Sequence, residues 1–217
     1  MKMHVLIRFG KWREIIAERL PANQVLYCVT TAMIHYAKAV ALAASGDVTG
    51  PEAEAKRFEA AVARVPPTRY LFNNTCLDIL AIASEMMKGE IAYRKDRHMQ
   101  AFAHLHRSVE LDDNLPYDEP WGWMQPARHA LGALLLEQGK VAEAEAVYRA
   151  DLGLDATLRR ACQHPNNVWS LHGFHECLMK LGRKSEAVII KKSLDIAVAR
   201  ADVPVKASCF CRLKAIA

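Results

Sequence analysis

The chain of 217 residues is long enough to bury a sizeable core, and 52% hydrophobic with 24% charged residues excludes a disordered chain. The net charge of +5 is mild, and acidic and basic residues alternate, so nucleic acid is not an expected partner. The sequence contains no apolar run of about 18 residues, so it does not predict a membrane-spanning helix. Residues 1–10 lack the features of a secretory signal, which predicts a cytoplasmic protein with reduced cysteines.

Helical patterns dominate the chain, because alanine-rich segments with a helical period recur and strand patterns are almost absent. Gly46, Gly139 and Gly182 stand where such segments end, as glycine commonly does after a helix. The pattern predicts an all-α fold, organised as a single helical-repeat domain over residues 1–217. About five antiparallel helical hairpins are expected in chain order, over residues 3–20, 24–65, 75–112, 126–153 and 167–201.

The hairpin that begins at Pro126 has the most regular pattern. Its first segment reads PARHALGALLLEQG and its second reads VAEAEAVYRADL. Gly132 and Ala144 supply the small side chains that two closely crossing helices need, and Tyr148 fills the space one turn later. Gly139 closes the first helix. The spacing therefore predicts a tightly packed pair of helices.

This arrangement of two glycines, an alanine and a tyrosine resembles the tetratricopeptide repeat (TPR) family. The hairpin departs from the family pattern at Arg128, where an aromatic residue is usual, and at Asp151, where alanine is usual. Nearly the whole chain looks like the C-terminal half of long bacterial TPR-domain proteins, through HVLIRFGKW, LPYDEPWGWMQPARHALGALLLEQG, HPNNVWSLHGFHECL and ADVPVKASCFC. The resemblance implies an α-solenoid with a right-handed superhelix. It also implies a scaffold that binds a peptide or partner protein in its concave groove.

The first predicted hairpin, residues 3–20, is unusually apolar for the end of a repeat array. A terminal repeat needs a polar outer face, because no neighbouring repeat covers it. We therefore expect this hairpin to pack on another chain or on a second copy, which predicts a homo-oligomer. The apolar residues are Val5, Leu6, Ile7, Phe9, Trp12, Ile15 and Ile16.

In the TPR family, the first helix of each hairpin provides most of the concave groove. The resemblance therefore implies a set of groove residues: Tyr93, Arg94, His129, Glu137, Trp169, His172, Glu176 and Lys180. His129 and His172 occupy equivalent positions of adjacent hairpins, so they are expected to be neighbours across the groove. Glu176 follows His172 by one helical turn and shares its face.

Two histidines and a carboxylate leave a second interpretation open. His129, His172 and Glu176 would suit a metal ion, a small molecule or acid–base catalysis. Tryptophans would then form the pocket walls: Trp121, Trp123 and Trp169. No phosphate-binding glycine loop and no Gly-x-Ser-x-Gly motif occurs in the sequence. The leading prediction is therefore a scaffold with no cofactor and no resident metal, and an enzyme is the less favoured alternative that stays open.

The cysteines leave a similar choice. Cys209 and Cys211 could bind a soft metal ion or form a redox pair, but zinc sites usually need two such pairs, so ordinary thiols are the favoured interpretation. Cys28, Cys76 and Cys177 fall within helical patterns and are expected to be small core residues.

The segment LPYDEPWGWMQP, residues 115–126, interrupts the helical pattern, because its prolines prevent a regular helix. Trp121 and Trp123 within it must either bury a large apolar area or leave it exposed. The segment is therefore either a wedge packed on the helices or a lid that recognises the partner. Asn166 or Asn167 is expected to cap the helix that follows.

Overall fold

The computed structural model describes residues 2–47 and 49–212, which contain ten α-helices and one short β-hairpin. The predicted all-α fold is thus confirmed for this part of the chain. The elements are α1 Lys2–Arg8, α2 Trp12–Ala17, α3 Cys28–Ala44, α4 Gly50–Val62, β1 Tyr70–Leu71, β2 Asn74–Thr75, α5 Cys76–Arg94, α6 His98–Asp113, α7 Ala127–Glu137, α8 Val141–Asp151, α9 Val168–Lys180 and α10 Lys184–Ala199. The chain divides into two compact units, Met1–Ala127 (unit 1) and Arg128–Ala217 (unit 2).

Consecutive helices pack in pairs, as the predicted hairpins require. In unit 1, α1 packs against α2, α3 against α4 and α5 against α6, and in unit 2 α9 packs against α10. The helices α7 and α8 meet where Gly132 faces the ring of Tyr148. The division of the chain into five TPR-like hairpins stays a prediction. The arrangement of these pairs as a right-handed solenoid, and their membership of a single domain, stay predictions. No helix within the described residues has both the length and the hydropathy that crossing a bilayer requires.

Glycine ends the first helix of both pairs in unit 2. Gly139 and Gly182 have φ angles of +73° and +72°, a left-handed conformation that glycine adopts without the penalty of a Cβ atom. The next residue, Lys140 or Arg183, then donates its backbone N–H to a carbonyl five residues earlier, at 2.9 Å in both turns. This turn reverses the chain within a few residues and brings each second helix back along the first.

Unit 1 is built around α3, whose alanines let neighbouring helices approach closely. Ala32, Ala37 and Ala41 are fully buried, and α3 packs against α2, α4 and α5. His35, a buried polar residue of α3, is paired within this core. Its Nδ1 atom lies 2.6 Å from a carboxylate oxygen of Glu54.

The N-terminal helix pair is less exposed than its sequence predicts. Ile15 is fully buried and Ile7 is nearly so, because α1 and α2 both pack against α3. Val5 and Ile16 remain 50% and 38% exposed. The inner face of this hairpin is therefore covered by α3, whereas its outer face keeps exposed apolar side chains. Association between copies through the outer face stays a prediction.

The β-hairpin between α4 and α5 was not predicted from the sequence. β1 and β2 pair antiparallel, with Leu71 opposite Asn74. The carboxylate of Asp118 accepts hydrogen bonds from the backbone N–H of Asn73 and from Nδ2 of Asn74, both at 3.1 Å. These bonds fix the proline-rich segment, residues 115–126, to the hairpin.

The proline-rich segment packs on the helices of unit 1 through Trp123, as the wedge alternative predicts. Its side chain is 2% exposed, and its ring lies edge-on to His4 and Tyr36, with centroid distances of 4.5 and 5.7 Å. The prediction that Trp123 contacts a partner is therefore wrong, because the aromatic ring is part of the core of unit 1. Trp121 is 44% exposed, and its role in recognition stays a prediction.

Candidate functional site

Unit 2 holds an irregular segment of its own chain against its helices. After α10 ends at Ala199, residues 201–212, here called the C-terminal segment, form no regular helix or strand. Ala207 and Ser208 within it are 0% and 1% exposed, and Cys209 and Cys211 are also buried. Irregular segments usually run over a protein surface, so the burial of residues 207–209 and Cys211 shows which part of this segment packs into unit 2.

Two contacts fix the middle of the C-terminal segment. The hydroxyl of Ser208 is hydrogen-bonded to the hydroxyl of Tyr148 on α8. Two residues later, the ring of Phe210 meets the ring of Trp169 on α9 edge-on, with the centroids 6.2 Å apart. This geometry is the favourable arrangement for an aromatic pair.

An ion pair fixes the end of the C-terminal segment. Arg212 donates hydrogen bonds from both terminal nitrogens to the carboxylate of Glu176 on α9, at 2.6 and 3.0 Å. Burial alone would raise the pKa of Glu176, but the hydrogen bonds and charge of Arg212 lower it overall. Bidentate pairs of this kind select arginine over lysine, because only the guanidinium matches both oxygens.

Four predicted groove residues lie together on α9 beside this segment: Trp169, His172, Glu176 and Lys180. Lys180 Nζ lies 3.8 Å from the Glu176 carboxylate. His172 is half-buried, and its Nδ1 atom has no hydrogen-bond partner within the described residues. Burial lowers the pKa of His172, so its imidazole is neutral at physiological pH. These residues form one surface, and the chain's own C-terminal segment covers it at Trp169 and Glu176.

Tyr148 lies between α7 and α9 and presents its hydroxyl to the C-terminal segment. A Cβ atom added at Gly132 or Gly173 would lie 2.5 or 2.3 Å from the ring carbon Cζ of Tyr148. Such distances are closer than any carbon–carbon contact allows, so both positions require glycine while the tyrosine is present. Glycine on both flanking helices therefore creates the slot that orients Tyr148.

Asp151, the last residue of α8, is fully buried and is hydrogen-bonded to four side chains. Its Oδ1 atom lies 2.8 Å from His164 Nδ1. Its Oδ2 atom accepts from Ser170 Oγ at 2.6 Å and from Asn167 Nδ2 at 3.1 Å, and it lies 3.1 Å from His129 Nε2. Asn167 also caps α9 through the backbone N–H of Ser170, as predicted.

The Asp151 cluster is suited to holding elements together rather than to nucleophilic chemistry. Burial alone would raise the pKa of Asp151, but the charges and hydrogen bonds of His129 and His164 lower it well below its ordinary value. Ser170 donates its hydroxyl proton to the carboxylate, so that proton is not held by a histidine base as it would be in an activated serine nucleophile. The carboxylate instead joins α7, α8, α9 and the loop that carries His164.

His129 does not face an open groove, so this prediction is corrected. Its side chain is 2% exposed, because Asp151 binds the imidazole inside unit 2. His172 and Glu176 lie beside the C-terminal segment, and the three residues do not form one site. No group of three or more histidine, cysteine or acidic residues within residues 2–47 and 49–212 is arranged to hold a metal ion.

The remaining predicted groove residues lie elsewhere. Tyr93 is 5% exposed and packs edge-on against Phe102, and Arg94 forms an ion pair with Glu90 at 2.7 Å, so both belong to the packing of unit 1. Glu137, at the end of α7, is half-buried in unit 2. Repeat spacing therefore predicted correctly that the α9 residues share a surface. It did not predict that Tyr93 and Arg94 on α5 contribute to the packing of unit 1.

The structure also decides the interpretation of the cysteines. Cys209 and Cys211 are joined by a disulfide bond, so the expectation of ordinary thiols is wrong for this pair. Cys28, Cys76 and Cys177 are buried thiols, as their helical positions predict.

Brief treatment of the native protein with iodoacetamide at about pH 8 should label Cys162 before Cys177. Cys162 is only half-buried, whereas Cys177 is fully buried and its pKa is raised to about 12 by burial. Very little thiolate is therefore present at Cys177. Peptide mass spectrometry measures both rates, and labelling in urea is the control. Equal native rates would show that Cys177 is accessible.

The sequence matches no protein-family model, no curated protein and no solved structure with which it was compared. The TPR resemblance therefore stays a prediction, and the candidate site depends on its own geometry.

Sequence reasoning missed two parts of this site. The first is the Asp151 cluster, for which the signal was an aspartate at a position where the TPR pattern has alanine. The second is the C-terminal segment, whose small and apolar residues ASCFC carry no repeat signal. Both parts depend on contacts between residues that are distant in the sequence.

Proposed function

We propose that this chain is a TPR-like protein-interaction module that binds an irregular segment of a partner protein on the α9 surface of unit 2. The observation that supports this proposal is the C-terminal segment, which occupies that surface with its polar and aromatic side chains paired. A surface that accommodates one irregular segment has the shape and chemistry to accommodate another of the same pattern.

The contacts specify the chemistry of the bound segment. Ser208, Phe210 and Arg212 are spaced two residues apart, and each meets a different partner on unit 2. A partner segment would therefore carry a hydroxyl, an aromatic ring and an arginine with this spacing. The ion pair provides the strongest selection, because the half-buried Glu176 would lose two charge-assisted hydrogen bonds without Arg212.

The chain's own segment competes with any partner. A tethered segment has an effective concentration of the order of millimolar, so a partner in solution binds weakly until the tethered segment is displaced. We further propose that the helix pairs are tetratricopeptide-type repeats of an α-solenoid, which would place the α9 surface in the groove where such proteins bind their partners. Glycine at the close helix contacts and the short turns within the pairs support this assignment.

The test uses full-length protein in which Phe210→Ala and Arg212→Ala weaken the tethered segment. A fluorescent peptide with the sequence of residues 202–212, DVPVKASCFCR, is then titrated by anisotropy. We expect the weakened chain to bind the peptide at least about 10-fold more tightly than the unsubstituted chain, because the competitor has lost two anchors. Equal affinities for the two proteins would contradict the proposal.

A charge exchange provides the matched control. Adding Glu176→Arg to the weakened chain should abolish binding of this peptide and should allow binding of a peptide that carries Arg212→Glu. A peptide that binds regardless of the charge at residue 176 is not held at this site, and the proposed function would then be wrong.

A further inference from the structure

Unit 1 contains a cleft that the proposed function does not use. It lies between α1, α3, α5 and the β-hairpin and has a volume of about 410 Å³. Small-molecule sites usually have volumes of about 300–1,000 Å³. We call it the α1–α3 cleft.

The walls and floor of the α1–α3 cleft are largely apolar. Met3, Ile34 and Ile79 line it and are themselves almost fully buried, so they form a closed floor. Tyr27 and Tyr70 also line it and are 52% and 58% exposed. The cleft thus has a buried apolar floor and exposed tyrosine rings along its walls. Such a lining suits a small molecule with an apolar body.

Charge is the second property of the cleft. Lys2, Glu18 and Arg69 are the charged residues in its lining, and Lys2 is paired with Glu18 at 2.5 Å. Arg69 is exposed and forms no ion pair with any residue of the described chain. The lining therefore has one uncompensated positive charge, which favours an anionic head group.

A buried polar atom supports a ligand in this cleft. His4 lines the cleft and is 7% exposed, and its Nδ1 atom has no hydrogen-bond partner within the described residues. Burial lowers the pKa of His4 to about 3, and the charge of Arg8 acts in the same direction, so the imidazole is neutral at physiological pH. Buried polar atoms are rarely left without a partner, which makes His4 a candidate to hydrogen-bond a ligand.

We propose that the α1–α3 cleft binds a small carboxylic acid with an apolar body, whose carboxylate is held by Arg69 and whose body lies on Met3, Ile34 and Ile79. This site lies wholly within unit 1, so the proposal is independent of segment binding by unit 2. It predicts a protein that also senses or carries an apolar acid.

Decanoate is the probe, and isothermal titration calorimetry of the full chain is the measurement. We expect saturable binding of about one molecule per chain. Arg69→Gln should weaken this binding by about 10-fold or more, since a charge-assisted hydrogen bond is lost. Arg64→Gln removes an exposed arginine outside the cleft lining and should leave the affinity unchanged. Circular dichroism checks that each variant is folded.

Two further arms distinguish the cleft from non-specific binding. Decanol has the same chain length without the charge, so it should bind the unsubstituted chain and the Arg69→Gln variant equally. Met33→Trp adds bulk to a half-buried residue of the cleft lining and should abolish binding of decanoate. Non-saturable binding of decanoate, or equal binding to the unsubstituted chain and the Arg69→Gln variant, would overturn the proposal. Binding that survives Met33→Trp would do the same.

Discussion

Replacing Asp151 by alanine should lower the free energy of unfolding of unit 2 by about 3–5 kcal/mol, which is the usual cost of removing one member of a buried charged pair. The carboxylate is fully buried, so its removal leaves the polar groups of His129, His164 and Ser170 without their acceptor. Each group would then bear a desolvation cost without a compensating hydrogen bond.

Hydrogen exchange measured by mass spectrometry tests this prediction within unit 2, since protection of α8 and α9 reports their local stability. Asp195→Ala is the matched control, because Asp195 is exposed on α10 and forms a surface ion pair with Lys191. The control should change stability by less than about 1 kcal/mol. Equal losses in the two variants would mean that the Asp151 cluster does not stabilise unit 2.

The Asp151 carboxylate also determines how the stability of unit 2 depends on pH. The pKa of Asp151 is lower in the folded chain than its ordinary value, so its stabilising contribution is fully present above that ordinary value. The contribution is lost only as the pH falls through the pKa that Asp151 has in the folded chain, which lies far below the ordinary value for aspartate. Acidification from about pH 7 to pH 5 should therefore leave the Asp151 contribution intact.

Gly173→Ala should destabilise unit 2 by about 1–3 kcal/mol, the usual cost of overpacking a core. A loss of stability would be informative, because alanine in place of glycine normally stabilises a helix by about 0.5–1 kcal/mol. In α9 the added methyl group would lie 2.3 Å from the Tyr148 ring, and that ring cannot move away because Gly132 faces it from α7.

A double-mutant cycle identifies the cause. Tyr148→Leu removes the ring, so Gly173→Ala in that background should be neutral or stabilising, giving a strong coupling between the two positions. Ala142→Gly on the exposed side of α8 is the control for intrinsic helix propensity. Urea denaturation measures all of these variants. Destabilisation by Gly173→Ala that persists without the tyrosine ring would contradict this explanation.

The helices could be predicted from the sequence because their signals are local. Gly139 and Gly182 end helices through their own backbone conformation, and Asn167 caps α9 through a residue three positions away. The β-hairpin escaped prediction because strands of two residues, Tyr70–Leu71 and Asn74–Thr75, are too short to show alternation.

The site was harder to predict because its partners are distant in the sequence. Arg212 reaches Glu176 across 36 residues, and no local pattern indicates this contact. His129 was assigned to a groove by repeat position alone. Asp151, 22 residues later, instead binds it in the interior. The repeat pattern therefore predicts which helices pair. Exposure of a side chain such as His129 instead depends on residues that depart from the pattern, here Asp151.

The two shared contacts of unit 2 have a consequence for how it unfolds. Repeat arrays usually behave as one-dimensional chains, in which each hairpin melts with limited help from its neighbours. Tyr148 and Asp151, both on α8, contact residues of α7 and α9 at once, and Tyr148 also holds the C-terminal segment. Loss of α9 would therefore expose both contacts of α8 and remove support from α7. We expect unit 2 to unfold as one cooperative foldon, with the amides of α7, α8 and α9 exchanging in a single step.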